Sequence, residues 1–369
     1  LTNRVVEDDL ANIISQTRNL WEEIRGETLF ITGGTGFFGR WLLGSFVRAN
    51  DEFGLNARAL VLSRSPETFA SKCPELAKNP ALTFVRGDVR DFEFPRDGCS
   101  HLIHAAAEVD ICRCRQFPVA TFDTIALGTR RVLDFANMCG VRKFLFVSSG
   151  AVYGAQPREV EQVEEDFVGA PDPLDAQCAY AHGKRAAEAL CGMYASSYGL
   201  DIKVARCFSF VGPHLSLDRP FAAASFMRDA VIGGPIVVQG DGTPVRSYLY
   251  ASDLTVWLWT ILFRGRCGRA YNVGSDRPIS IETLARTVAR EAGLAENVVI
   301  GPTLLSGNCG IVAEKSARGL SADRYVPSVE RARSELGLLQ TVEIDEAIRR
   351  SLDFHLESRL SSETTGRAA

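Results

Sequence analysis

Tyr180 and Lys184 stand four residues apart in the run Tyr180-Ala181-His182-Gly183-Lys184. The run opens a helical pattern that continues toward Tyr194, and side chains four apart on a helix lie on one face. A phenol beside an ammonium group is an acid/base device. The positive charge of Lys184 favours tyrosinate and lowers the phenol pKa toward neutrality. Tyr180 can then take the proton of a substrate hydroxyl as hydride leaves the same carbon. Ser149, at the end of the apolar run Lys143 to Val147, offers a hydroxyl to hold that oxygen. Singly, each has an ordinary reading: the Tyr/Lys pair as a surface-helix pair, Ser149 as a turn residue. Their order along the chain, and the site upstream of them, join them into one chemistry. His182 points away around the helix and reads as structural.

The element that must position them lies near the start, in Thr28 to Arg40, TLFITGGTGFFGR. An apolar strand runs into a glycine cluster and then into a helical pattern from about 37 to 49. Gly33, Gly36 and Gly39 turn the backbone, admit a ligand close to it and seat the helix on the strand, while Thr35, Phe37 and Phe38 fill the turn. Free N–H groups at the helix start bind a pyrophosphate. A second strand, Arg58 to Leu62, ends in Ser63-Arg64-Ser65, where an acid would hold the adenosine ribose. A cation and hydroxyls stand there instead, which predicts NADP, with NAD as the alternative. A third strand, Leu82 to Arg86, leads into Gly87-Asp88-Val89, which places Asp88 and Val89 at the cofactor and Asp88 on the adenine. A fourth, His101 to His104, leads into Ala105, Ala106 and Ala107, small enough to lie flat against the cofactor. A helix from about 118 to 138 precedes the fifth strand. Parallel strands joined by helices bring all these ends to one edge, so the expected fold class is α/β.

Composition narrows the partners. The chain has 369 residues, 46% hydrophobic and 23% charged, enough for a large core, and a net charge of −4 gives no global attraction to nucleic acid or an anionic membrane. No apolar run reaches the length of a membrane span, and residues 1–27 carry charges throughout rather than a signal peptide's apolar centre, so a cytoplasmic location is expected. The ten cysteines show no framework spacing and are expected to be reduced. Cys112 and Cys114 lack further ligands nearby, so no metal is expected. Residues 5–26 have the spacing of an amphipathic helix, with Leu10, Ile13, Ile14, Leu20, Trp21 and Ile24 on one face, docking on the protein's own body, and Asp8 and Asp9 near its positive end. His214 reads as a solvated loop residue.

These motifs, with RCFSFVGP at 206–213, GDGTPVRSYLYASDL at 240–254 and YNVGS at 271–275, resemble the extended short-chain dehydrogenase/reductase family, in particular its nucleotide-sugar epimerases, dehydratases and reductases. The resemblance covers roughly residues 28 to 340. It implies a Rossmann-type doubly wound parallel sheet with a smaller C-terminal α/β substrate lobe. It implies an NAD(P)-binding domain at 28–206 plus 246–275 and a nucleotide-sugar-binding lobe at 207–245 plus 276–358; the N-terminal helical extension at 1–27 is an addition to the usual family start, and the small polar composition of 359–369 predicts a disordered tail. It also implies a homodimer through the helices at about 118–138 and 180–198.

By the same resemblance Tyr180 is the acid/base, Lys184 lowers its pKa and binds the nicotinamide ribose, and Ser149 orients the reacting oxygen. Arg246 matches an arginine that contacts a substrate diphosphate, and Arg324 is a second candidate for that anion. Ser209 and Ile125 stand where the family usually has asparagines. The 4,6-dehydratases of the family carry an Asp and a Glu directly after the position of Ser149, and the decarboxylases a Glu at the second place; here they are Gly150 and Ala151. Elimination needs that acid and base. The expected activity is therefore an NAD(P)-dependent epimerase acting by transient oxidation at the sugar C4 hydroxyl. The alternatives are an NADPH-dependent 4-ketosugar reductase, then a dehydratase or decarboxylase, and, in a different class, a non-catalytic NAD(P)-sensing scaffold.

Overall fold

The computed structural model of the chain describes residues 3–107, 110–219, 221–294, 297–301 and 324–366, with side chains to 359. Seven strands form the central sheet: β1 (Thr28–Thr32), β2 (Arg58–Ser63), β3 (Leu82–Arg86), β4 (His101–His104), β5 (Lys143–Ser149), β6 (Ile202–Cys207) and β7 (Ala270–Val273). Their order is β7-β6-β5-β4-β1-β2-β3 and every pairing is parallel. Helices cover both faces, which is why the strands read as continuous apolar runs. Alternate residues of one strand serve opposite cores: Leu29 and Ile31 pack with Trp41, Phe46, Trp257 and Trp259, while Phe30 packs with Phe135, Phe144 and Phe146. The chain reverses its direction of travel across the sheet between β1 and β4, and a crevice opens there beyond the strand ends.

A smaller unit sits over that edge. Its core joins Ala223, Phe226, Met227, Ile236, Val238, Leu284, Val288, Ile348 and Leu352. It is built from helices Ala222–Val231, Ile281–Glu291 and Ile344–Gly366 and the parallel pair Ile236–Gln239 and Val298–Gly301. A three-stranded sheet of Ile279–Ser280, Val245–Arg246 and Arg324–Tyr325 closes it against the larger unit.

The N-terminal helix is shorter than its apolar spacing suggests. It runs Arg4–Thr17, and a 3-10 turn follows at Trp21–Ile24. The Trp21 indole donates back to Thr17 Oγ1 at 3.0 Å and its ring lies 4.7 Å from that of Trp259, so the chain folds over after Thr17. Asp9 is fully buried rather than placed at the helix end for its dipole. It accepts from the Tyr250 hydroxyl at 2.6 Å and from Arg350 at 2.7 Å. The last helix, expected to stop near 356, continues to Gly366, across most of the segment expected as a disordered tail. Glu357 accepts from Asn3 there at 2.7 Å, which ties it to the N-terminal helix; residues 367–369 lie outside the described ones.

Among the described residues no helix is long and apolar enough to cross a membrane, and no three His, Cys, Asp or Glu side chains gather as a metal site. Cys73, Cys99, Cys139, Cys178, Cys191, Cys207 and Cys267 are thiols, whereas Cys112, against expectation, is disulfide-bonded.

Candidate active site

One cleft of about 2930 Å³ runs along the C-terminal edge of the sheet. That is several times the volume that holds one drug-sized ligand, and suits two large ones. Gly33, Thr35, Gly36, Phe37, Phe38, Ser63, Arg64, Asp88, Val89, Ala105, Ala106, Ala107, Ser149, Tyr180, Lys184, Ser209 and Arg246 line it.

At the glycine turn the fit to a pyrophosphate can be tested on the backbone itself. Gly33 has φ +73°, and a Cβ there would stand 2.6 Å from the Ala105 carbonyl, so only glycine lets the two strand ends meet. Gly36 begins helix Phe37–Phe53 with no side-chain cap, which leaves the first-turn N–H groups for an anion. Gly39 is off the cleft. Its Cβ would stand 2.2 Å from the Gly34 carbonyl carbon, so it serves the contact of helix with turn. The residues present fit a dinucleotide. Beneath Ala105, Thr32 Oγ1 lies 2.6 Å from His104 Nδ1 and accepts from Ala106 N at 3.1 Å, and His104 Nε2 lies 3.0 Å from Thr129 Oγ1. Burial holds His104 neutral, its pKa pushed down to about 3.

At the end of β2, Ser63 Oγ accepts from Ser65 N at 3.2 Å and so braces the turn. Arg64 lines the cleft there, and Lys72 and Arg40 line it too, two cations that the strand-end motif did not reveal. Asp88 differs from expectation. Its carboxylate accepts from Arg90 N at 3.0 Å and Arg90 Nε at 2.8 Å, and those bonds hold it below the usual carboxylate range, so much of its capacity to bond an adenine is already used.

At the other end β5 and helix Ala179–Tyr198 bring Ser149, Tyr180 and Lys184 together. Lys184 donates to the Val147 carbonyl at 2.6 Å, and its Nζ lies 5.9 Å from the Tyr180 ring centre and 4.8 Å from that of Phe146. The Ser149 hydroxyl lines the cleft with the Tyr180 phenol and accepts from Ala151 N at 3.2 Å. The phenol is not acidified by the protein alone: burial pushes Tyr180 up to about 12, with the Ser149 hydroxyl acting in the opposite direction. Burial also pushes Lys184 down to about 8, which weakens the charge expected to stabilise tyrosinate. Behind this group Glu188, one turn beyond Lys184, accepts from Ser148 Oγ at 2.6 Å and from Arg206 Nη2 at 2.7 Å. Ile125 packs in the core beside Gly183, whose absent Cβ lets the two helices approach.

The substrate side holds the main corrections. Arg324 is not on the cleft; its Nε donates to the Glu161 carbonyl at 2.7 Å. Its neighbour Tyr325 is on it instead, because successive residues of a strand face opposite ways. Tyr325 and Phe208 fill the place where Gly150 would carry a side chain: a Cβ would meet the Tyr325 hydroxyl at 2.6 Å and the Phe208 ring at 2.7 Å. Arg246 pairs with Tyr325 across the small sheet and donates to the Val245 carbonyl at 2.8 Å. His214 is only partly exposed and lines the cleft. It sits between Trp41 and Phe354, and burial pushes it down to about 3. His182 holds the Asp172 carbonyl at 2.9 Å, a structural contact.

Comparison with known proteins agrees with this geometry. The sequence pattern of the NAD dependent epimerase/dehydratase family matches residues 29–274. A dTDP-glucose 4,6-dehydratase of Streptomyces antibioticus is 26% identical over 90% of the chain and 93% of its own length. UDP-glucuronic acid decarboxylase 1 of Arabidopsis thaliana is 30% identical over 70% of the chain and 57% of its own length. Among solved structures, the UDP-glucose 4-epimerase of Thermotoga maritima with UDP-glucose shares the fold with a TM-score of 0.73 at 21% identity, over 90% of this chain and 99% of that one. DesIV, a dTDP-glucose 4,6-dehydratase of Streptomyces venezuelae with NAD bound, does so at 0.75 and 23%, over 90% and 98%.

Proposed function

Since this chain belongs to the NAD dependent epimerase/dehydratase family and is an enzyme of the extended short-chain dehydrogenase/reductase type, we propose that it epimerises a nucleoside-diphosphate sugar at C4. The observation that carries this reading is the space after Ser149. Gly150 and Ala151 bring no carboxylate, and the volume beside Gly150 is taken by the Tyr325 hydroxyl and the Phe208 ring. Elimination or decarboxylation that uses an acid or base at these positions has none to use; removal and return of hydride need none there.

In this reading Ser149 holds the C4 oxygen and Tyr180 takes its proton. Lys184, fixed by the Val147 carbonyl, orients the cofactor ribose and supports the tyrosinate. A bound oxidised nicotinamide supplies the hydride acceptor and a positive charge. Rotation of the ketosugar exposes its other face, and Tyr180 gives the proton back as hydride returns, so no cofactor is consumed. Arg246 serves the diphosphate.

A second reading, a 4-ketosugar reductase, is favoured by Arg64 at the end of β2, where an acid is lacking and a cation suits a 2′-phosphate; Lys72, at the end of the helix Pro66–Lys72, lines the same cleft. NADPH is the reductive form of that cofactor. The deciding experiment is mass spectrometry of the retained cofactor, followed by incubation with a panel of nucleotide sugars with and without NADPH. A C4 epimer formed without net cofactor consumption is the expected result. NADPH loss stoichiometric with a 4-ketosugar overturns it in favour of the reductase.

A further inference from the structure

Glu188 and Arg206 form a largely buried ion pair behind the reacting end of the cleft, with no part in the mechanism above. Arg206 Nη2 donates to Glu188 Oε2 at 2.7 Å and its Nε to Oε1 at 3.1 Å, a two-pronged contact. Each partner also reaches further, and these outer contacts lie at the two ends of one turn. Glu188 accepts from Ser148 Oγ at 2.6 Å, directly before Ser149. Arg206 Nη1 donates to the Tyr153 hydroxyl at 2.9 Å, at the close of the 3-10 turn Gly150–Tyr153 that Ser149 caps. The same Nη1 donates to the Glu165 carbonyl at 2.9 Å, and the Tyr153 hydroxyl donates to Asn272 Oδ1 at 2.8 Å, on β7. Between the two ends Arg185, from the same helix as Glu188, donates to the Val152 carbonyl at 2.7 Å.

A buried ion pair adds little net stability over an apolar pair, since both charges give up water. What a guanidinium fork facing a carboxylate supplies is direction, because its donors are fixed in one plane. Helix Ala179–Tyr198 carries Tyr180, Lys184 and Glu188 at intervals of four, on one face. Against that face β5 sets three residues in succession: the Val147 carbonyl accepts from Lys184 at 2.6 Å, the Ser148 hydroxyl donates to Glu188, and Ser149 is left at the reacting end. We propose that Glu188, together with Arg206, is a positioning residue for Ser149: the pair grips the residue before the Ser149 turn and the residue that ends it, and so fixes the serine hydroxyl relative to Tyr180 and Lys184. Neither member of the pair lines the cleft, no proton is transferred at either, and no bond to carbon is made or broken there. The proposal deepens the reading of Ser149 and Tyr180 given above, and rests on it.

The test is Ser148→Ala, which keeps the ion pair and cuts its hold on the strand end. The expected result is a kcat about tenfold lower with KM within about twofold, the effect of one lost hydrogen bond to a charged group felt in the transition state. Arg206→Lys is the second variant: it keeps the charge but loses the planar fork, so it cannot hold Glu188 and Tyr153 together, and kcat falls by at least as much with KM again little changed. Wild-type kcat in a folded Ser148→Ala overturns the proposal, and so does a loss that appears in KM alone. Hydrogen exchange reads the turn without turnover. In Ser148→Ala the amides of 149–154 exchange about tenfold faster than in wild type, while those of β1 and β2 keep their rates. A wild type that converts no nucleotide sugar defeats the epimerase reading alone; the exchange then still decides, since unaltered rates at 149–154 in Ser148→Ala overturn the positioning role.

Discussion

Tyr180 carries the sharpest residue-scale expectation. In Tyr180→Phe the ring still packs beside Lys184 but no proton can be exchanged, so turnover falls by about 10²–10⁴-fold while cofactor affinity, measured by titration calorimetry, stays near wild type. Turnover that survives removes Tyr180 from the acid/base role. The pair with Lys184, and Ser149 before it, were legible in the sequence because a helix repeats its face every fourth residue and a strand end is marked by its turn. Tyr325 was not: it reaches the place beside Gly150 from far along the chain, through a two-residue strand too short for any period to show. Arg324 attracted attention as a cation, and the alternation of that short strand turned it outward and its neighbour inward. Glu188 was hidden differently. Its partners, Ser148 and Arg206, lie on neighbouring strands, and only the sheet brings them to it.

Elements that pack along their whole length were read well, since a buried stripe or a continuous apolar run is a property of the residues themselves. The ends of elements were read less well. The N-terminal helix stops at Thr17 because Trp21 turns back into the core, a tertiary preference that the spacing of apolar residues through Ile24 conceals. The docking of that helix has a measurable pH signature. Burial, opposed by the bonds from Tyr250 and Arg350, raises Asp9 from 3.8 to about 6. The folded chain therefore keeps a proton that the unfolded chain has lost, and the contribution of Asp9 is present in full below about pH 4 and lost as pH rises through 6. In Asp9→Asn that titration is gone. Urea midpoints of the two proteins are expected to show the advantage of wild type over the variant shrinking by up to about 3 kcal/mol from pH 4 to pH 7. A pH-independent difference would show that the carboxylate titrates normally where it lies.

At the scale of the whole molecule, the two neighbouring helices Pro118–Cys139 and Ala179–Tyr198 leave Val119 at 73%, Leu127 at 53%, Met193 at 61% and Tyr198 at 57% exposure. The family resemblance and this apolar surface support a homodimer through these helices. Met193→Glu is expected to halve the mass seen by sedimentation at micromolar concentration; a wild type that already sediments as a monomer would refute the dimer. The clasp around Asp9 bears on how the chain acquires its shape. Asp9 and Arg350 are separated by 341 positions, so the ribosome makes the helix Arg4–Thr17 long before its last partner emerges. At ordinary elongation rates that interval is on the order of tens of seconds. During it Asp9 lacks its cation, so the helix Arg4–Thr17 gains this contact only after Arg350 has been made.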